Sequence, residues 1–331
     1  MRMAPVALTT VLALAVVQGR SGLAAFPAQE QGAHEVDRGS IAVLRRDGLM
    51  IPFASFRGTR WLAQWPAGLR GLELPVNLQS IPERWWGGGT PEGWQVWPPG
   101  GTARPVTPIA PQIYRVHCDE RIGLRTDYRP AEAPPLLPIA PYPKDGLVAT
   151  AGVRVEPISS VGPTDADWGG LAVALLADFN GAEDREMSVI SAVFSHPLGR
   201  DERRLQPVRV ESWYRTRLED GSRVSYIEAV RSYPPRPEDD GCGLQTLFSG
   251  WVTHEKGERR PRADLQARVT YCDRVGATFM QPLGRIRLRD RVYWIAQVAG
   301  NESEWYIVVD VAAGQVRYVV EYPAGSRNSC R

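Results

Sequence analysis

Residues 208–231, VRVESWYRTRLEDGSRVSYIEAVR, decide the fold class of this chain. Apolar and charged side chains alternate on both sides of Glu219-Asp220-Gly221. That is the period of a strand, not of a helix. A three-residue loop with Gly221 in the left-handed conformation closes a bulged hairpin, and Ser212 then faces Glu228. Val208, Val210, Tyr214 and Leu218 fall on one face with Val224, Tyr226 and Val230. Arg209, Glu211, Arg215 and Arg217 fall on the other with Arg223 and Arg231. A two-residue turn would shift the register by one and mix the faces.

The same alternation extends downstream. Leu244–His254 reads as a hairpin with Ala263–Cys272, and Trp305–Val311 as another with Val316–Tyr322. Val292–Val298 is a strand between them. Leu205 to Tyr322 is therefore an antiparallel β-meander. Just upstream, Val153 and Val155 begin a strand that Pro157 ends. One amphipathic helix follows: Thr164 caps it, Trp168, Leu171, Leu175 and Phe179 recur at spacings of three and four, and Gly181 ends it.

The N-terminal part has no helical period. Ile41–Leu44 and Leu49–Phe53 flank Arg46-Asp47-Gly48, a strong hairpin signal. Further strands are expected over Thr59–Trp65, Gly93–Trp97, Ile113–His117 and Ile122–Thr126. Prolines 130, 134, 135, 138, 141 and 143 remove amide donors and fix φ, so this stretch reads as an extended strap. The expected fold class is α+β, mostly β: a small all-β N-terminal module followed by an antiparallel β-meander with one amphipathic helix packed on it. The divisions are a signal peptide over 1–25, a tether over 26–39, a Trp-rich β module over 40–129, the strap over 130–145 and the helix-plus-sheet domain over 146–326.

Arg2, the apolar run Val6–Val17 and the small residues Gly22 to Ala25 have the order of a secretory leader, with cleavage near Ala24. The run is shorter than the roughly 20 residues of a membrane span. No later segment reaches that length without charges, so no transmembrane segment is expected in the mature chain. The expected location is extracytoplasmic, secreted or periplasmic. Net charge is +2, too small to argue for nucleic acid. The positive charge is nearly all arginine, since Lys144 and Lys256 are the only lysines. The runs around Arg203 and Arg260 read as solvated loops.

Four cysteines in an exported chain point to disulfides. A turn centred on Gly257 sets Cys242 opposite Cys272, the favoured bridge, which leaves Cys118 and Cys330 as a second pair. No CxxC or HxxxH spacing is present, and GGGTPEG lacks the Lys-Ser/Thr of a phosphate loop, so neither metal nor cofactor is expected.

Six of the 11 tryptophans lie between residues 61 and 97, among several glycines. They read first as the core of a small module. The alternative is a platform for sugar rings built from Trp85, Trp86, Trp94 and Trp97, because an apolar ring face stacks on C–H groups. Adjacent Trp85 and Trp86 point opposite ways if extended, which would expose one of them. Ser195 and His196 are neighbours, but adjacency does not build a nucleophile–base pair and no G-x-S-x-G elbow exists. Glu228 is the candidate catalytic group, since a carboxylate on an apolar face has to be paired, hydrogen-bonded or protonated. The more ordinary reading is a structural carboxylate held by an arginine. Asp273, Glu302 and Glu304 lie at strand ends, where a second carboxylate would come from.

No motif fixes a reaction. The reading that follows is a non-catalytic exported binding or scaffolding protein that contacts polysaccharide or another envelope component. The alternative is an extracytoplasmic carboxylate-dependent hydrolase.

Overall fold

The computed structural model describes residues 36–87, 91–116, 119–135, 141–235, 243–271, 277–300, 303–312 and 315–326. The leader and all four cysteines, with both proposed pairings, lie outside the described residues, as do Asp273 and Glu302.

Eight strands form the first sheet: β1 (Arg38–Arg45), β2 (Leu49–Arg57), β3 (Arg60–Leu62), β4 (Gln95–Trp97), β5 (Arg104–Pro105), β6 (Pro108–Val116), β7 (Asp119–Thr126) and β8 (Lys144–Ala149). Their order is β5-β4-β8-β1-β2-β7-β6, with β3 paired to β2. The Asp47-Gly48 turn forms as expected, with Gly48 at φ 80°. β8, from beyond the proline-rich stretch, pairs with β1, so this stretch returns the chain to the first sheet.

Two short strands follow, β9 (Val155–Glu156) and β10 (Ser159–Ser160). Then come α1 (Trp168–Ala174), α2 (Leu176–Ile190) and α3 (Arg200–Leu205). The expected apolar stripe is correct: Trp168, Leu171, Leu175 and Phe179 all pack on one core. The expected ends are not. Asp167, not Thr164, is the N-cap residue, Leu175 breaks the helix in two, and α2 runs through Gly181 to Ile190. Beyond Gly181 the stripe continues with Ala182 and Glu183, both buried. Gly181, expected to end the helix, lies inside α2.

The rest is all strand: β11 (Val208–Arg217), β12 (Arg223–Ser232), β13 (Leu244–His254), β14 (Arg262–Tyr271), β15 (Phe279–Leu288), β16 (Arg291–Gly300), β17 (Ser303–Ala312) and β18 (Gln315–Ser326). They make two antiparallel sheets, β10-β11-β12-β13-β14 and β18-β17-β16-β15-β9. The protein is mostly β, built as a meander with few helices.

The layers follow from the alternation of side chains along β16 and β17. Tyr293, Ile295, Tyr306 and Val308 pack against Ile41, Phe53 and Phe56 of the first sheet. Trp294, Ala296, Ile307 and Val309 point the other way, against Val224, Tyr226 and Trp251. The far face of β12 and β13, through Ile227, Ala229 and Phe248, meets the helices. The order is first sheet, β15–β18 sheet, β10–β14 sheet, helices. The middle strands are apolar on both faces, as buried strands are.

The opening hairpin confirms its register near the turn, with Ser212 opposite Glu228 and Arg217 opposite Arg223. A bulge at Glu211 then shifts the pairing by one. Val210 therefore turns to the helix side, where it packs with Trp213 and Ile227. Arg231, expected on a wet face, is fully buried. The face it occupies is roofed by α2, and Arg231 donates to Glu183 Oε2 at 2.8 Å and to Asn180 Oδ1 at 2.7 Å.

Candidate functional site

The tryptophan-rich segment closes on itself. Trp85 and Trp86 sit in a 3-10 turn, Glu83–Trp86, not in a strand. With three residues per turn, neighbouring side chains diverge by about a third of a circle, and both indoles reach the core. Trp65 packs tilted on Trp86 at 4.9 Å and edge-on to Trp85 at 5.5 Å, and Trp86 meets Trp94 at 6.4 Å. Trp85, Trp86 and Trp94 are buried, their faces spent on one another. Trp97 is half-buried in a separate cleft walled by Pro98, Pro99, Pro157 and Pro282.

Ser195 is exposed. The neighbouring His196 ring turns inward, edge-on to Tyr233 at 4.5 Å, and its Nδ1 accepts the Leu198 amide at 3.0 Å. Burial and the nearby Arg203 hold this imidazole below its ordinary pKa. The two residues do not form a nucleophile and base. Glu304 is engaged elsewhere, paired with buried Lys144 at 2.7 Å.

Glu228 leads to a cleft that the sequence did not single out. On β11–β14, side chains directly opposed across the strands share one face. One row runs Tyr214, Tyr226, Trp251, Asp264, and the next runs Ser212, Glu228, Ser249, Gln266. Both rows face the β15–β18 sheet. From that sheet Met280, Val298 and Trp305 form one row and Ile307 with Glu321 another. Between the two sheets lies a cleft of about 270 Å³. Tyr226, Met280 and Ile307 are buried at its base. Trp305 is half-buried, and Asp264, Gln266, Glu321 and Tyr318 are exposed around it. Trp251 Nε1 donates to the Tyr318 hydroxyl at 2.9 Å and fixes that ring. A side chain at Gly250 would place Cβ 2.1 Å from the Asp264 carbonyl oxygen, so this strand crossing needs glycine.

Glu228 itself is 7% exposed. Its Oε1 accepts the Met280 amide at 2.7 Å, and Ser212 adds a hydrogen bond. The expected arginine partner is not found among the described residues; a backbone amide of β15 takes its place. Glu228 thus ties one sheet to the other behind the base of the cleft. Burial raises its pKa, and the two hydrogen bonds offset part of that rise. A raised folded pKa means that the proton favours the folded state. Relative to E228Q, the wild type is therefore expected to gain stability as pH falls from 8 through the raised value, the gain being complete below the ordinary 4.5. Urea midpoints over a pH series check this; parallel curves would refute it.

Asp264 and Glu321 make no ion pair with any described residue, and no described group of three or more His, Cys, Asp or Glu side chains is placed to hold a metal ion. No described helix is long and apolar enough to cross a membrane. No family model matches the chain, and neither a curated protein nor a solved structure matches it.

Proposed function

We propose that this chain is an exported, non-catalytic binding protein that holds a polysaccharide segment in the cleft between the β10–β14 and β15–β18 sheets. One observation carries the reading. Trp305 and Tyr318 keep aromatic surface open beside Asp264, Glu321 and Gln266, while the other clustered tryptophans close on themselves. An aromatic face takes the C–H side of a sugar ring, and carboxylates and amides accept from and donate to its hydroxyls. The two carboxylates disfavour a polyanion such as nucleic acid. The partners of Glu228 support a non-catalytic role, since its Oε1 holds a backbone amide of the facing sheet and Ser212 holds the carboxylate within its own. Export, with cleavage near Ala24 and disulfides among Cys118, Cys242, Cys272 and Cys330, is part of the same proposal. Terminal sequencing and thiol titration of the mature chain test that part.

Calorimetric titration with neutral cell-wall and plant oligosaccharides tests the binding. At least one series is expected to bind, and W305A or Y318A is expected to weaken it by about tenfold or more, equivalent to ~1.4 kcal/mol. Silence across every series, or variants that bind as the wild type does, would sink the reading. Release of reducing ends by the wild type and not by E228Q would favour the hydrolase instead.

A further inference from the structure

A second cleft opens on the first sheet, on the face turned away from the β15–β18 sheet. Phe56 points towards that neighbour and packs tilted against Trp61, so Ser55 and Arg57 point the other way. Arg38 lies directly opposite Arg57 across β1 and β2, and Arg57 directly opposite Arg60 across β2 and β3. Three guanidinium side chains therefore share one cross-strand row. Directly opposed like charges destabilise a sheet. None of the three is in an ion pair with a described residue. Several strand arginines elsewhere are matched, as in Arg215 with Asp165, Arg285 with Glu156 and Arg287 with Glu219, while Arg104, Arg125 and Arg217 also make no ion pair with a described residue. What sets this row apart is three arginines in direct register.

Arg38 and Arg57 of this row line a cleft of about 360 Å³, while Arg60 faces an adjoining one. Ser55 and Trp86 also line the first, at 7% and 5% exposure. The Ser55 Oγ and the Trp86 Nε1 lie just beneath its surface, with no hydrogen-bond partner among the described residues. A buried donor without an acceptor is a standing penalty. Gly87 sits at φ 75° against this serine, and a Cβ there would come within 2.0 Å of Ser55 Oγ. Two guanidinium forks, a hydroxyl and an indole N–H call for acceptors, and Glu92, the one carboxylate on the wall, is in no ion pair with either arginine. Two directly opposed guanidiniums, Arg38 and Arg57, call for more than one negative charge. A phosphate monoester carries about −1.5 to −2 at pH 7, where a carboxylate or sulfate ester carries one. The volume leaves room for an organic group beside Trp86 and Pro91.

We infer that this cleft binds a small phosphate monoester, with Arg38 and Arg57 on the phosphoryl oxygens. Phenyl phosphate is the probe, titrated calorimetrically into the full chain, with phenyl sulfate and benzoate as controls. Phenyl phosphate is expected to bind, less tightly as salt rises, and at least tenfold better than either control. R57Q and R38Q are expected to weaken it about tenfold or more, and S55A by a smaller factor. Arg57 is exposed, so R57Q should fold. Without ligand at low salt it is expected to melt no lower than the wild type, because a repulsion is removed. No binding at millimolar phenyl phosphate, unchanged binding by R57Q, or controls that bind equally well would each overturn the inference.

Discussion

Replacing Lys144 with methionine is expected to lower the unfolding free energy by about 3–5 kcal/mol, the loss typical when one partner of a buried ion pair is removed. Lys144 and Glu304 are 1% and 4% exposed, and their Nζ and Oε1 are 2.7 Å apart. Lys144 also donates to the Tyr142 carbonyl, and the Tyr306 hydroxyl donates to Glu304 at 2.6 Å. Burial holds the Lys144 ammonium below its ordinary pKa, with Glu304 pulling it back up. The pair joins β8 of the first sheet to β17 of the second, so K144M strands a carboxylate between two layers. Lowering the pH, which protonates that carboxylate, is expected to recover part of the loss. The double replacement K144M/E304L removes both charges and is expected to cost less than K144M alone. Urea unfolding followed by tryptophan emission measures all three. A single variant within about 1 kcal/mol of the wild type, the value of an exposed pair, would show that the charges are solvated.

The second large effect is expected at Arg231. R231M leaves Glu183 buried with Arg203 at 3.4 Å, the Thr246 hydroxyl at 2.8 Å and the Tyr233 hydroxyl as its partners. A loss of about 3 kcal/mol or more follows from the same reasoning, with a different location. Glu183 belongs to α2 and Arg231 to β12, so the bond pins the helix layer to its sheet. Hydrogen exchange is expected to accelerate across α2 while amides of β16 and β17 stay protected. Uniform acceleration in all layers would mean that the helices are not a separable unit.

These two clusters show where sequence reasoning stops. Period-two alternation and a glycine at the turn were enough to pair Ser212 with Glu228, because hairpin contacts are local. The bulge at Glu211 was not legible: one inserted residue changes which face Val208 and Val210 occupy and leaves no trace in hydrophobicity. Arg231 was set on the charged face of its hairpin and nothing singled out Glu183; they are 48 positions apart and only their meeting makes burial tolerable. Trp85 and Trp86 were read on an extended backbone, and a single 3-10 turn altered the outcome for both. The cleft residues Asp264 and Glu321 come from edge strands of different sheets, and no spacing announces such a meeting. Arg38, Arg57 and Arg60 were visible as residues, but their alignment needed the register of three strands.

The middle strands of the central sheet are covered on both faces. Its strands present rings to both neighbours, and several ties that seal it span most of the chain: Tyr322 reaches the Pro66 carbonyl across 256 positions, and Arg121 reaches that of Pro323 across 202. Ribosomes deliver the N-terminal strands first, so their inner wall waits without a cover until the last hairpin emerges. Such long-range closure is slow, and the waiting surface is sticky. Truncation before Tyr322 is therefore expected to yield insoluble protein instead of a smaller working one, which the soluble fraction on expression would measure.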